Sequence, residues 1–482
     1  MAVARSDPGD KFWPRALAAT LIVSAILRFA GLGSGLWYDE IVTLVESARK
    51  PLLEIFVYFP DVNIHPLYSV LAHLSLQSFG ESSWALRLPA CLFGIASVAM
   101  AYLLGTRLIS KGEAWAAATI LAVSYQHIWF SQNARGYTLM GFFALLSTYH
   151  LIRALESGRT SHYVWYALAC AAGVYTHLTM GFVVAGHVAV ILVGKVIGWR
   201  VLSAQSLKPL IAAWMGTTLL SAGLYAPYAP NVLAHFGAGK PKIAAQVATS
   251  RWAVTEVLRN VFSGAGIIGA VATGIVAAIG ALSFLRRQTL AFALLVVPAI
   301  VAGAAIVVLR QPMRPRFFFF IAGAAAIFAG HGVGVTAGWL SRGTARPATA
   351  VLAVTAVLVV LSAAGLPRNY RIPKQDFDGA VRYLELQSGD GVVVSAAGAA
   401  CWPIERYYKK TGWPCVESVD ELQSVLAVSQ PVLVVYTLGD YIENPELRDR
   451  LRNACREVRR FPGTLGGGDM IVCDPRLAAG LS

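Results

Sequence analysis

About eleven apolar runs dominate this chain, and each is close to the roughly 20 residues that a helix needs to cross the hydrocarbon core of a bilayer. No other feature limits the fold so strongly, because a soluble protein rarely exposes so much contiguous apolar surface. The runs lie at residues 15–31, 85–106, 113–130, 138–154, 162–178, 180–198, 209–226, 262–285, 289–309, 317–340 and 347–366. The sequence therefore predicts a polytopic, all-α membrane protein.

The charge balance supports the same class. Only 14% of the residues are charged, whereas an average soluble domain has roughly 25%. This composition excludes a disordered, collagen-like or ordinary cytosolic protein. The 40 basic and 26 acidic residues leave a net charge of +14, which is expected of a membrane protein with basic cytoplasmic loops. The excess is poor evidence for nucleic-acid binding, and we see neither zinc-finger spacing nor a long basic arm.

Basic residues in alternate connections predict the orientation. With a cytoplasmic N-terminus, each of these connections obeys the positive-inside rule, and an odd number of spans places the C-terminus outside. Arg28, near the outer end of the first run, and the lack of a clean cleavage site argue against a signal peptide. The basic residues are Arg5, Lys11, Arg15, Arg107, Lys111, Arg153, Arg159, Lys195, Arg200, Lys208, Arg286, Arg287, Arg342 and Arg346.

Two outer segments are long, at residues 32–84 and 227–261. The first contains a short apolar stretch, residues 66–76, that is dotted with polar groups. We interpret it as an amphipathic helix in the plane of the membrane surface. The alternative is one more span, which would reverse every later loop and break the positive-inside pattern.

The composition changes after residue 366. Strand-like runs at 392–394, 432–436 and 470–472 alternate with helical stretches at 376–387, 418–427 and 445–456, a pattern typical of a small α/β domain. The chain is therefore divided into a membrane domain, residues 1–366, and a C-terminal α/β domain, residues 367–482, on the outer side.

Four of the six cysteines lie in this C-terminal segment, and an even set on an oxidising face predicts two disulfides. Three pairings of these four residues are open. A metal site is the competing interpretation, but the spacings do not suit a tetrahedral zinc ribbon. The four residues are Cys401, Cys415, Cys455 and Cys473.

Asp39 and Glu40 are adjacent just outside the first span, next to Trp37 and Tyr38. They could form no more than a solvated loop with interfacial aromatic anchors. Adjacent carboxylates repel, however, so one of the two is expected to have a raised pKa. A carboxylate with a raised pKa suits general-base catalysis.

Several basic groups fall at other outer turns, against the topological bias. Such groups call for an anionic partner, and Arg is well shaped to bind phosphate. Contact with lipid headgroups is the simpler explanation for any one of them, and a lone His is more often structural. Their convergence on one face is the signal. They are His65, Arg135, His177, Arg314 and Arg316.

Taken in order, these segments resemble the GT-C glycosyltransferases, and more narrowly the bacterial family 39-type enzymes related to protein O-mannosyltransferases and lipid A aminoarabinose transferases. The architecture is similar over residues 1–370, and the motifs over 27–140. The motifs are Leu27-Arg28-Phe29, Trp37-Tyr38-Asp39-Glu40, Ile64-His65-Pro66-Leu67-Tyr68, Ala85-Leu86-Arg87-Leu88-Pro89 and Ala134-Arg135-Gly136-Tyr137.

The resemblance implies a polyprenyl-phosphate sugar as donor and transfer of a hexosyl or pentosyl group to a hydroxyl acceptor. We expect inversion at the anomeric carbon, since a single displacement gives it. It also implies a bacterial inner-membrane location with a periplasmic active site and C-terminal domain. Asp39 matches the family's catalytic carboxylate, and Glu40 is its usual neighbour. His65 lies where the family has a polar or basic residue near the donor phosphate, and Arg135 and Tyr137 match the loop after the third span. His177 resembles an outer-turn His of the family, and Arg316 its Arg-aromatic pair on a late outer loop. Together with Arg314 of the same Arg-rich loop, these are the expected donor-binding residues.

A bound divalent metal is left open by the resemblance. Some relatives have a second acidic residue in the loop that here reads Gln132-Asn133-Ala134-Arg135. This chain has none there, which weakens the case for a metal. The acceptor could be a lipid, a glycan or a protein. The rival function is a lipid or glycolipid transporter, which would place ionisable groups near the bilayer midplane instead of at outer turns.

Overall fold

The computed structural model describes residues 12–58, 64–203, 205–231, 233, 267–309, 315–341 and 347–476. Within these residues, eight helices are long and apolar enough to cross a membrane. They are Phe12–Phe29, Ser83–Leu108, Tyr137–Ser157, Lys208–Asn231, Ile267–Arg287, Thr289–Val308, Pro315–Leu340 and Ala348–Arg371. The prediction of a multi-span, mainly helical membrane protein is thus confirmed.

The described helices that precede the C-terminal sheet are α1 (Phe12–Phe29), α2 (Tyr38–Thr43), α3 (Leu52–Ile55), α4 (Pro66–Phe79), α5 (Ser83–Leu108), α6 (Lys111–Val123), α7 (Tyr125–Ser131), α8 (Tyr137–Ser157), α9 (Thr160–Thr176), α10 (Met180–Val196), α11 (Arg200–Ser203), α12 (Lys208–Tyr225), α13 (Ile267–Arg287), α14 (Thr289–Val308), α15 (Ala322–Leu340), α16 (Pro347–Ala363), α17 (Leu366–Arg371) and α18 (Phe377–Gly389). Within the described residues, each of the eleven predicted runs coincides with helical structure, and residues 262–266 of the eighth run lie outside them. The count of eleven spans is not confirmed, since the runs at 113–130, 162–178 and 180–198 correspond to shorter helices.

The run at 113–130 is broken at Ser124. Helix α6 ends at Val123, and the Ser124 hydroxyl caps α7 by accepting a hydrogen bond from the His127 N–H at 3.4 Å. The buried Arg28 guanidinium donates to the Ala122 carbonyl at 2.9 Å, one of the carbonyls left open where α6 ends. A carbonyl at the break is therefore hydrogen-bonded by a side chain that lies 94 residues away in sequence.

Helix α4 confirms the helix expected in the first outer loop. Its 14 residues span only about 21 Å at 1.5 Å per residue, too short for a hydrocarbon core of about 30 Å. It packs on α5, since the Tyr68 hydroxyl donates to the Leu86 carbonyl and the Ser75 hydroxyl to the Ala85 carbonyl, both at 2.6 Å.

The C-terminal part contains a five-stranded mixed sheet of order β2-β1-β3-β5-β4. Strands β1 and β3 are parallel, as are β1 and β2, while β5 is antiparallel to both β3 and β4. Three helices are interspersed among the strands. The elements are β1 (Val393–Gly398), α19 (Cys401–Arg406), β2 (Cys415–Val416), α20 (Val419–Leu426), β3 (Val432–Thr437), α21 (Pro445–Asn453), β4 (Arg456–Phe461) and β5 (Met470–Asp474).

Successive side chains of β3 point alternately to the two faces of the sheet, and both faces are apolar. Leu433 and Val435 face α18, in a cluster that also contains side chains of α2, α4 and α5. Val432, Val434 and Tyr436 face α20 and α21 in a separate cluster. One face of the sheet therefore shares an apolar cluster with helices α2, α4 and α5.

The four cysteines of this part form two disulfides, as predicted. Cys401 pairs with Cys415 and Cys455 with Cys473. The first closes the segment between β1 and β2, and the second joins the beginning of β4 to β5.

Candidate active site

Asp39 and Glu40 are adjacent in α2, but their carboxylates have different surroundings. Glu40 is fully buried. It accepts hydrogen bonds from Arg87 Nε to Oε1 at 2.7 Å and from Arg87 Nη2 to Oε2 at 2.5 Å. The Ala134 N–H adds a third at 2.7 Å. Glu40 thus joins α2 to α5 and to the loop before α8.

Burial alone would raise the pKa of Glu40, but the Arg87 guanidinium and these hydrogen bonds outweigh burial and lower it. The expectation of a raised pKa is therefore wrong at Glu40. The reason is Arg87, a fully buried guanidinium that also donates to the carbonyls of Leu32, Ser34 and Gly35. It ties the chain leaving α1 to α5.

Asp39 is 8% exposed, and its side chain contacts a late segment of the chain. Arg316 Nη1 donates to Asp39 Oδ2 at 3.1 Å. Arg316 is the second residue of the short 3-10 turn Pro315–Ile321 that precedes α15, and Tyr137 and Tyr441 lie within electrostatic reach of its guanidinium. Asp39 therefore faces a cationic group from another part of the fold.

His65, Tyr137 and His177 form a ring cluster beside this pair. The ring centroids of His65 lie 4.9 Å from Tyr137 and 4.7 Å from His177. His65 is 2% exposed, yet neither of its ring nitrogens has a hydrogen-bond partner among the described residues, and the same holds for the Tyr137 hydroxyl. Buried polar atoms are rarely left without partners, so these atoms mark a place for a polar ligand.

The electrostatic environment of His65 is cationic. Burial and the nearby Arg135 guanidinium hold the pKa of His65 well below its usual range, with smaller contributions from His177 and Arg316. The ring is therefore neutral at neutral pH. Arg135 is itself buried and donates to the Thr43 hydroxyl of α2 at 3.2 Å.

The structure thus brings together six of the eight predicted site residues, Asp39, His65, Arg135, Tyr137, His177 and Arg316. Glu40 is next to them in sequence but points to Arg87. Arg314 lies outside the described residues. Within the described residues, no group of three or more His, Cys, Asp and Glu side chains could hold a metal ion.

Three buried contacts near the site have no signature in the sequence pattern. Arg28 bonds to Ser131 and His127 beneath the loop. Lys374 and Gln375, from the segment before α18, bond to the loop after α7 and to the first residue of α2. Each contact joins residues far apart in sequence, so only the position of Arg28 in an apolar run could have indicated one of them.

Residues 63–225 match the sequence model of a family described as dolichyl-phosphate-mannose-protein mannosyltransferase. The matched segment includes His65, Arg135, Tyr137 and His177, whereas Asp39 and Arg316 lie outside it. No curated protein sequence matches the chain.

Solved structures give wider coverage. ArnT from Cupriavidus metallidurans bound to undecaprenyl phosphate is 12% identical, with a TM-score of 0.56 over 98% of this chain and 99% of ArnT. The Archaeoglobus fulgidus oligosaccharyltransferase tethered with an acceptor peptide is 13% identical, with a TM-score of 0.58 over 96% of this chain and 74% of its own. The archaeal oligosaccharyltransferase AglB from the same organism, in complex with an inhibitory peptide and a dolichol-phosphate, is 13% identical. Its TM-score is 0.56 over 97% of this chain and 74% of AglB. At this level of identity the likeness is one of fold.

Proposed function

We propose that this chain, which has the GT-C glycosyltransferase fold, moves a sugar from a polyprenyl-phosphate donor to a hydroxyl of an envelope acceptor. The single observation that carries the proposal is the buried cluster in which His65, with no hydrogen-bond partner among the described residues, lies within electrostatic reach of the Arg135 and Arg316 guanidinium groups, the second of which bonds to Asp39. A phosphate would satisfy the unpartnered donors, and a carboxylate beside it is placed for proton transfer.

The donor class is supported by two of the structural relatives. ArnT was solved with undecaprenyl phosphate and AglB with a dolichol-phosphate, which are both polyprenyl phosphates. In this chain, Arg135 and Arg316 supply fixed positive charge for such a group, and Arg binds phosphate oxygens well because of its planar donor fork. Arg314 belongs to the same proposed set.

Asp39 is the proposed general base, and Glu40 a residue that holds it in place. Within the described residues, the Asp39 side chain hydrogen-bonds only to Arg316, whereas both oxygens of Glu40 are occupied by Arg87 and backbone N–H groups. Of the two adjacent carboxylates, Asp39 therefore has the greater capacity to accept a proton from a substrate.

The reaction is a single displacement. Asp39 takes the proton of the acceptor hydroxyl, the oxygen attacks the anomeric carbon, and the bond from that carbon to the phosphate oxygen breaks. The polyprenyl phosphate leaves with the electron pair of the broken bond, and Arg135 and Arg316 stabilise its developing charge. One displacement inverts the anomeric configuration. A phosphate is a good leaving group, so no general acid is required.

The location that we propose for the site is the periplasmic face of a bacterial inner membrane. In the topology predicted from the sequence, one side of the membrane carries the site residues, and the other carries the basic connections that obey the positive-inside rule. The site residues are Asp39, His65, Arg135, His177 and Arg316. The N-terminus would then be cytoplasmic and the C-terminal α/β domain, residues 367–482, periplasmic.

The test uses purified full-length protein, a panel of radiolabelled hexosyl and pentosyl polyprenyl phosphates, and acceptor-containing membranes from a strain that lacks the gene. We expect label to move from the polyprenyl phosphate to an envelope component with at least one donor. A transporter would instead leave every sugar–phosphate linkage intact.

A further inference from the structure

Helix α2, which carries Asp39, receives one cap from Glu40 Oε2, which accepts a hydrogen bond from the Trp37 N–H at 3.3 Å. Its N-cap residue, Trp37, makes no side-chain hydrogen bond to the helix. The first N–H groups of a helix have no partner within it, and in α2 the N–H of Tyr38 is the first of these. It is directly adjacent to Asp39.

Gln375 provides the missing acceptor from 337 residues away. The Tyr38 N–H donates to Gln375 Oε1 at 3.0 Å. The amide group of Gln375 in turn donates through Nε2 to the Thr437 hydroxyl at 3.0 Å. Gln375 is 1% exposed, so its amide forms a buried bridge between α2 and the end of β3.

Both ends of this bridge are anchored. Thr437 ends β3, a central strand whose six residues are all buried. The backbone beside Gln375 is also fixed, because the Thr464 N–H donates to the Pro373 carbonyl at 2.8 Å and the Leu465 N–H donates to the Lys374 carbonyl at 3.2 Å. The acceptor of the Tyr38 N–H is therefore tied to the end of β3 and to the loop between β4 and β5.

The same segment also holds the loop that carries Arg135. Lys374 Nζ donates to the Gln132 carbonyl at 2.5 Å, and Asn369 Nδ2 donates to Gln132 Oε1 at 2.7 Å. The segment before α18 thus contacts both chain segments that bring Asp39 and Arg135 to the site.

We propose that Gln375 is a positioning residue that caps α2 from the C-terminal domain and thereby fixes the Asp39 carboxylate. The proposal rests on the function proposed above. Helix α2 continues into the π-helical turn Leu44–Ala48, and its first turn is also held by the Glu40–Arg87 and Asp39–Arg316 contacts. Loss of the Gln375 contact removes the acceptor of the Tyr38 N–H and loosens the start of the turn that contains Asp39. Catalysis is sensitive to such motion, since a misplacement of about 1 Å can cost about a hundredfold in rate.

Two substitutions separate capping from general packing. Gln375→Met keeps the length of the side chain and removes the acceptor of the Tyr38 N–H. Thr437→Val is the matched control, because it removes a buried hydrogen bond of the same bridge and leaves Gln375 Oε1 in place. Gln375→Glu retains an acceptor for Tyr38 and tests for rescue.

The first readout is the kinetics of sugar transfer by full-length protein. We expect Gln375→Met to lower kcat about tenfold to a hundredfold with little change in KM for the donor, because the phosphate is held by other groups. Thr437→Val should have a much smaller effect, and Gln375→Glu should recover most of the rate. Equal losses in the Met and Val variants would overturn the proposal.

The second readout is hydrogen exchange of the peptide that covers Tyr38–Thr43, which does not depend on activity. Exchange should be faster in Gln375→Met than in wild type and unchanged in Thr437→Val. If wild type transfers no sugar, the proposed function fails, yet faster exchange would still support capping. Unchanged exchange overturns the capping in either case. If Gln375→Met does not purify, Gln375→Asn, which is too short to reach Tyr38, serves in its place.

Discussion

Arg316 Nη1 donates a hydrogen bond to Asp39 Oδ2 at 3.1 Å although 277 residues separate the two. The pair joins the first outer loop to the turn before α15, and both side chains are largely buried. The carboxylate of Asp39 therefore has a cationic partner from a distant part of the chain. The same guanidinium is close enough to the His65 cluster to serve a bound phosphate.

A first prediction separates these two roles of Arg316. Arg316→Ala should weaken donor binding by about 1.5–3 kcal/mol, which is about tenfold to a hundredfold in affinity, because a charge-assisted contact to phosphate is lost. The effect should persist when Arg316→Ala is combined with Asp39→Asn. If the substitution weakens binding only when Asp39 is intact, Arg316 serves the carboxylate and not the donor. Titration with a non-hydrolysable donor analogue measures the donor affinity of the single and the double variant.

A second prediction concerns Glu40. Glu40→Gln leaves the buried Arg87 guanidinium without its counter-ion, and breaking a buried ion pair costs about 3–5 kcal/mol. We therefore expect a lower thermal midpoint in detergent. Asp39→Asn should leave that midpoint nearly unchanged, since its side chain can still accept from Arg316. Equal midpoints for wild type and Glu40→Gln would show that Arg87 and Glu40 do not stabilise the fold as described.

The third prediction follows from the depressed pKa of His65. Burial and the cations Arg135 and Arg316, together with His177, keep the ring neutral without ligand. A bound phosphate opposes these effects and raises the pKa of His65, so binding takes up a proton and donor affinity increases as pH falls. Over the range from about pH 5 to 8, where histidine commonly titrates, the dissociation constant of the donor should rise with pH.

His65→Gln is the control for this pH dependence. The donor is a phosphodiester and has no ionisation of its own in that range, so the slope should disappear in the variant. Affinity that is independent of pH in wild type would contradict the prediction. A slope that survives in His65→Gln would assign the proton to another group.

The fourth prediction combines disulfides with topology. Cys401–Cys415 and Cys455–Cys473 are bonded, and the two other cysteines, Cys91 and Cys170, are buried. In intact cells with a permeabilised outer membrane, a membrane-impermeant thiol reagent should label the C-terminal domain only after reduction. Labelling before reduction would contradict the disulfides. Labelling that also requires lysis of the inner membrane would place the domain in the cytoplasm.

The sequence predicts the fold well where hydrophobic length decides structure. Long apolar runs must become helices in a membrane because backbone groups have no other partners there. Hydrophobic length does not predict the break at Ser124, because the break depends on the Arg28 side chain of α1, which bonds to a carbonyl at the end of α6. Strand β4 is not predicted either, because five of its six residues are exposed. Its charged side chains protect a sheet edge and do not alternate with apolar ones.

The candidate site is predicted less completely. Motif positions identify Asp39, His65, Arg135 and Arg316, and convergence on one face follows from the alternation of spans. The partners that hold these residues are not readable from the sequence. Arg87 and Glu40 are 47 positions apart, and nothing in the neighbourhood of Gln375 indicates that its amide caps a helix near the N-terminus. Such contacts depend on tertiary packing alone.

The most direct test of the account is the rate of sugar transfer by Asp39→Asn at saturating donor, measured together with its donor affinity. Removal of a general base typically lowers the rate about a hundredfold to ten-thousandfold. We expect a loss of that size with donor binding no weaker than in wild type, because Asn keeps the shape and hydrogen-bonding capacity of Asp and the phosphate is held by other groups. Transfer at the wild-type rate by Asp39→Asn would contradict the account.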